Sequence, residues 1–243
     1  MDVFEGLYSS KCALQDSDGS LNKGPPGLHQ PKDFKGVFRY SIAEKHSLEP
    51  IKVYTLLWGM KIIGDRNVNN MTKGVFSSVA KNVKKEVIEE ISKEYLTKKL
   101  LPGYLDSLDA VRNYGKPKQL IIASMNPTAI YAKDVIDADD VVPTNRIVYK
   151  NGYFDHVDIS MRNGKDKLEK TEEKLEEYGL TTDDCVFFAN GTNDEPLARK
   201  CKLVLTNRWA SPKIRKLENA YTIGDYSQFA RRLQKEMPPV LQA

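Results

Sequence analysis

The longest apolar periodicity in the chain runs over residues 72–100, where Val75, Val79, Val83, Val87 and Ile91 recur every fourth position and Phe76, Ile88 and Tyr95 widen the stripe. That spacing predicts a long amphipathic helix, or two in tandem, with Lys and Glu outward. Elsewhere the apolar residues form short continuous runs bounded by polar, Gly or Pro residues, which is the pattern of buried strands. Such runs occupy residues 119–123, 185–189 and 202–206, and the partly apolar residues 12–15 predict a further inner strand. Helical patterns lie between them. One has Leu105, Leu108 and Val111 inward and ends near Tyr114-Gly115. A second opens at Gly164 and stops at Gly179, and a third, over residues 226–236, turns Phe229 and Leu233 inward with Asp225 as its cap. Residues 145–154 read as a β-hairpin turning at Asn151-Gly152.

This alternation predicts an α/β fold: a doubly wound, mostly parallel, Rossmann-like core. Residues 1–21 and 100–243 form that core, and residues 22–99 read as an inserted, mainly helical cap. Inside the insertion, Gly24-Pro25-Pro26-Gly27 is a strong breaker, and residues 53–58 are an apolar run that suits a strand or a short helix.

The candidate chemistry sits where strands end. Asp16-Ser17-Asp18-Gly19-Ser20-Leu21 sets two carboxylates, a glycine and a hydroxyl at a strand-to-loop transition. Exposed backbone N–H groups there would cradle an anion beside a cation; an Asp/Gly turn without chemistry is the competing reading. A calcium loop does not fit, because counting back from Gly19 puts Leu14 at the first ligand position. Ser124 ends the strand at 119–123, where it could be a plain helix cap and, since helix amino ends favour anions, a phosphate ligand as well. Lys167 lies at a helix start, where a cation opposes the helix dipole and serves an anion unless it is simply a surface lysine. Asn190, Asn193 and Asp194 follow the strand at 185–189, and Pro196 suits the first turn of a helix after them. Carboxyl ends of strands are where open α/β sheets place their sites.

These stretches, in this order and spacing, resemble the haloacid-dehalogenase-like (HAD) hydrolase superfamily, and within it the phosphoserine-phosphatase-like group. Asp16 to Leu21 matches the Asp-x-Asp-x-Thr/Ser-Leu motif, Ser124 the second motif and Lys167 the third. Ala189-Asn190-Gly191-Thr192-Asn193-Asp194 matches Gly-Asp-Gly-x-Asn-Asp, with Asn190 at the second position. Pro102-Gly103 and Asn145-Arg146-Ile147 also look like that group. The resemblance implies a Mg²⁺-dependent phosphatase acting on a small phosphomonoester through an aspartyl-phosphate. It implies Asp16 as nucleophile and Asp18 as general acid and base. Gly19, Ser124, Met125, Lys167 and Asn193 would bind phosphate, and Asp16, Asp18, Asn190 and Asp194 would hold Mg²⁺. The alternative, prompted by Asn190 in place of Asp, is a HAD-fold protein with weakened or lost activity that binds a phosphate ligand or a protein.

Bulk properties narrow the setting. The net charge is +4, with Lys and Arg interleaved with Asp and Glu rather than gathered in a stripe, so nucleic acid is not an expected partner. Three widely spaced cysteines, Cys12, Cys185 and Cys201, form no zinc pattern and no disulfide framework. Residues 1–12 lack the apolar run of a signal peptide, and no stretch approaches a membrane span. A cytoplasmic protein is expected. His29, His46 and His156 have no evident partners and read as surface or satisfied side chains.

Overall fold

The computed structural model describes residues 2–17 and 83–236. After helix α1 (Val3–Ser9) the chain enters strand β1 (Cys12–Gln15), and the described residues resume with helix α2 (Lys85–Lys99). Helix α3 (Tyr104–Asn113), strand β2 (Gln119–Ile122), helix α4 (Ala129–Val135) and strand β3 (Asp140–Val141) follow, then the hairpin strands β4 (Arg146–Lys150) and β5 (Tyr153–Asp158). Helix α5 (Gly164–Glu176), strand β6 (Cys185–Phe188), helix α6 (Glu195–Ala198), strand β7 (Leu203–Asn207), helix α7 (Pro212–Arg215), strand β8 (Ala220–Ile223) and helix α8 (Tyr226–Glu236) complete the described residues.

Six strands form one parallel sheet in the order β3-β2-β1-β6-β7-β8. Because side chains alternate across a strand, each inner strand feeds two cores. Ala13, Leu120, Ile122, Val186, Phe188, Leu203 and Leu205 pack on one face with residues of α1, α3, α4 and α8. Cys12, Leu14, Ile121, Cys185, Phe187 and Val204 pack on the other with residues of α5, α6 and α7. Both faces are covered, so the inner strands read as nearly continuous apolar runs. The fold is the doubly wound α/β architecture that the alternation predicts. Strand order reverses between β1 and β6, which is the switch point at which such sheets open a crevice.

Several local expectations hold for identifiable reasons. Asn151 and Gly152 both take positive φ, 53° and 79°, as a two-residue hairpin turn of the strand twist requires. Asp225 caps α8 by accepting from the Gln228 N–H at 2.8 Å. Gly103, at φ 70°, precedes α3, and a Cβ there would sit 2.0 Å from Ser227 Oγ at the start of α8.

Other expectations are corrected. The stripe over 72–100 does not continue through residues 83 and 84 as helix. Lys84 is extended and bridges Tyr153, Val83 O accepts from Phe154 N at 2.9 Å, and Lys85 N donates to Gly152 O at 2.9 Å. Backbone pairing with the hairpin overrides the helical spacing there. Val83 and Ile88 then join Phe154 and Val157 in a small third core. Leu105 is 43% exposed; Tyr104, Leu108 and Val111 form the buried face of α3. Helix α4 begins at Ala129, with Thr128 rather than Ser124 before it. Four elements carry too little apolar pattern to be read in advance: α1, the two-residue β3, the four-residue α7 and the edge strand β8. The run at 53–58 and most of the expected cap lie outside the described residues. Among the described residues, no helix is long and apolar enough to cross a membrane.

Candidate active site

Strand β1 delivers Asp16 and Ser17 to the switch point. Gln15 ends the strand fully buried and is held at both ends of its amide: Tyr104 OH donates to Oε1, and Nε2 donates to the Asp16 carbonyl. Burial pushes the Tyr104 phenol well above its ordinary range, so it stays a donor. Asp16 N donates to Phe188 O at 3.1 Å, which ties the loop after β1 to the end of β6.

Beyond β6 the chain turns sharply. Asp194 Oδ2 accepts the N–H groups of Asn190 at 2.9 Å and Gly191 at 2.7 Å, closing the turn that Thr192–Asp194 continue as a 3₁₀ segment. Helix α5 abuts this turn. A Cβ on Gly164 would lie 2.4 Å from Asn193 O, so only glycine permits the approach. Asn163 caps the helix, accepting from Lys165 N at 2.8 Å and Asp166 N at 3.2 Å. One turn later Lys167 reaches back to the ends of β1 and β6.

The Lys167 ammonium donates to Asp16 Oδ1 at 2.8 Å and to Asp194 Oδ1 at 2.5 Å, with all three side chains almost wholly buried. Its Nζ also lies 5.2 Å from the centre of the Phe187 ring. Burial alone would push this ammonium down. The charges and hydrogen bonds of Asp16 and Asp194 outweigh that, and its pKa is held above the ordinary lysine value. The unfavourable start-of-helix position of Lys167 is therefore offset by two carboxylates that arrive from other strands.

Ser124 lies beside this cluster at the end of β2, fully buried, with its Oγ 2.6 Å from Ser17 Oγ. It accepts from Asn126 N at 3.2 Å rather than capping α4. The Met125 side chain packs against the second core, and its carbonyl accepts from Asn145 Nδ2 at 2.9 Å. Asn145 also donates to Met161 O at 3.1 Å and accepts from Ser160 N at 2.9 Å and Met161 N at 2.8 Å. This amide clamps the loop after β2 to the segment before α5. Asn145→Ala strands the four groups it serves and is expected to cost about 2–4 kcal/mol, read as a lower midpoint in chemical denaturation.

Of the residues expected from the sequence, Asp16, Lys167 and Asp194 are joined directly, and Ser124 and Asn190 lie at the neighbouring strand ends. Both oxygens of Asp194 are engaged, so it organises the turn and anchors Lys167. Asn193 is exposed on the turn, and no hydrogen bond of its side chain joins it to the cluster. Asp18 and Gly19 lie outside the described residues. His156 is exposed and paired with its neighbour Asp155, as a surface histidine would be, and His29 and His46 are outside the described residues. Sequence reasoning missed Ser17, whose hydroxyl had no visible partner along the chain, and Asn163, although Asn before a helix start is a readable cap.

A buried lysine bridging two carboxylates stands at the switch point of a parallel sheet, so the chain is an α/β protein with a charged cluster at its strand ends. It belongs to the haloacid dehalogenase-like hydrolases, whose family profile matches residues 34–199. That match begins after Asp16 and does not cover the Asp16 to Leu21 stretch. The fold is shared with an apo phosphoserine phosphatase (TM-score 0.63, 17% identity, 94% of this chain and 100% of that one). A phosphoserine phosphatase bearing a phospho-aspartyl intermediate analogue superposes equally well (TM-score 0.63, 18% identity, 95% and 100%). So does a protein of unknown function from Bordetella pertussis Tohama I (TM-score 0.65, 13% identity, 89% and 99%). No curated protein matches the sequence.

Proposed function

We propose that the protein is a Mg²⁺-dependent phosphomonoester hydrolase that works through an aspartyl-phosphate on Asp16. The observation that carries this is the buried Lys167 ammonium, which gives Asp16 its counter-charge inside a desolvated crevice and offers a positive centre to phosphoryl oxygens. In the first step a carboxylate oxygen of Asp16 bonds to phosphorus as the bond to the leaving oxygen breaks, and Asp18 gives that oxygen its proton. In the second step Asp18 takes a proton from water, whose oxygen bonds to phosphorus as the Asp16–phosphorus bond breaks. Inorganic phosphate leaves, and both carboxyl groups return to their starting states. The assignment of Asp18 rests on its place two residues after Asp16.

The donor set suits Mg²⁺. Asn190 Oδ1 is buried without a hydrogen-bond partner, so a hard acceptor oxygen awaits a cation at the strand end next to Asp16. Asp16 and Asn190 would hold the ion, with Asp194 and the backbone carbonyl of Asp18 as further contributors. Bound there, Mg²⁺ would neutralise charge that builds on the transferring group. Asn190→Asp adds a charge to this set and is expected to tighten Mg²⁺ binding about tenfold by calorimetry. An unchanged affinity would remove Asn190 from the ligands.

Residues 22–99 complete the proposal as an inserted cap that closes over a small phosphorylated substrate. A reducing cytoplasmic setting suits the free, buried thiols of Cys12, Cys185 and Cys201. The test is turnover of an aryl phosphate with and without Mg²⁺. Mg²⁺-dependent release supports the reading. No release at any Mg²⁺ concentration, with inorganic phosphate still bound, would favour a phosphate-binding module with lost activity, a role to which the uncharged Asn190 points.

A further inference from the structure

The hydrogen bond between the Ser17 and Ser124 hydroxyls has no part in the reaction steps above. Both side chains are fully buried, their oxygens are 2.6 Å apart, and they come from loops after two different strands. A serine oxygen has one proton and two lone pairs. One lone pair of Ser124 already receives the Asn126 N–H. The remaining bond has two arrangements: Ser17 donates to Ser124, or Ser124 donates to Ser17. Only the first leaves the Ser124 proton for another acceptor.

A phosphoryl oxygen accepts and does not donate, so its arrival at Ser124 selects the first arrangement. We infer that Ser17 is a positioning residue, whose hydroxyl donates to Ser124 Oγ and so aims the Ser124 proton at the phosphoryl group. The two hydroxyls then form a chain in which each bond polarises the next. The same bond ties the loop carrying Asp16 to the loop carrying Ser124, which keeps nucleophile and phosphate ligand in register. This inference rests on the phosphohydrolase reading above.

The test is a double-mutant cycle with Ser17→Ala and Ser124→Ala, read as kcat/KM on an aryl phosphate and as affinity for inorganic phosphate by calorimetry. Ser124→Ala is expected to lower both by about 10- to 100-fold, since it loses a bond to a charged group. Ser17→Ala is expected to lower both by about five- to tenfold. In the Ser124→Ala background, Ser17→Ala should change neither, because the group it positions is gone. Ser17→Cys keeps a weak donor and should fall between Ser17→Ala and the unaltered protein, which covers the case in which the alanine variant does not fold. Effects that multiply across the cycle, or a Ser17→Ala variant equal to the unaltered protein, would overturn the inference while leaving the hydrolase reading intact. An unaltered protein with neither turnover nor phosphate affinity would overturn both.

Discussion

Asp16→Asn is expected to reduce Mg²⁺-dependent phosphomonoester hydrolysis by at least about 10³-fold, to the background of the assay. An amide oxygen is too weak a nucleophile to bond to phosphorus, and no other carboxylate among the described residues is placed to substitute. Asp194 is the nearest in the cluster, but its Oδ1 is bound to Lys167 and its Oδ2 closes the turn at Asn190 and Gly191. The substitution is nearly isosteric, and the new amide oxygen can still accept from Lys167, so the fold should survive with a modest loss of stability. Two measurements separate a lost nucleophile from a damaged site. The unaltered protein, quenched in acid during turnover, should carry a hydroxylamine-labile phosphate that Asp16→Asn lacks. Asp16→Asn should meanwhile keep its affinity for inorganic phosphate to within about tenfold. A variant that retains turnover would move the nucleophile elsewhere.

Lys167→Met is expected to cost about 3–5 kcal/mol of folding stability as well as activity. The side chain is fully buried, and its removal leaves Asp16 and Asp194 facing a gap with no counter-charge. Few single substitutions elsewhere in the described residues would strand two buried charges at once. The sign of the pH dependence follows from the raised folded-state pKa of Lys167. A lysine whose pKa rises on folding contributes stability that is complete below its unfolded value, about 10.4. That contribution is lost as pH rises beyond it toward the folded value. Stability curves of the unaltered protein and Lys167→Met should therefore lie furthest apart at neutral pH and converge above about pH 10.4. Equal stability at neutral pH would show that the bridge is not the organising contact of the crevice.

Much of the core was legible because its inner strands are buried on both faces. Residues 119–122, 185–188 and 203–207 must be apolar almost throughout, and such runs stand out between polar turns. The hairpin was legible because Asn-Gly is a turn with a steric cause. The peripheral elements were not. Two residues of β3 and the half-exposed β8 need no apolar run, since their partners supply the burial. Lys84 fell inside a helical stripe but pairs with Tyr153, because a hydrogen-bonding edge nearby outweighs a four-residue period.

The sequence by itself determined which residue types stand at the strand ends, in what order, and that a doubly wound sheet would bring those ends to one side. These are local matters of pattern, turn chemistry and spacing. Tertiary structure alone decided what each of them touches. Lys167 and Asp16 are 151 residues apart, Ser17 and Ser124 are 107 apart, and nothing local records either pairing. Whether a lysine at a helix start is a solvated surface charge or the buried link between two carboxylates depends on which strand ends face it. Parallel pairing of β1 with β6 and the close approach of Gly164 to the turn at Asn193 settled that, because in a desolvated crevice an ammonium is stable only where carboxylates meet it.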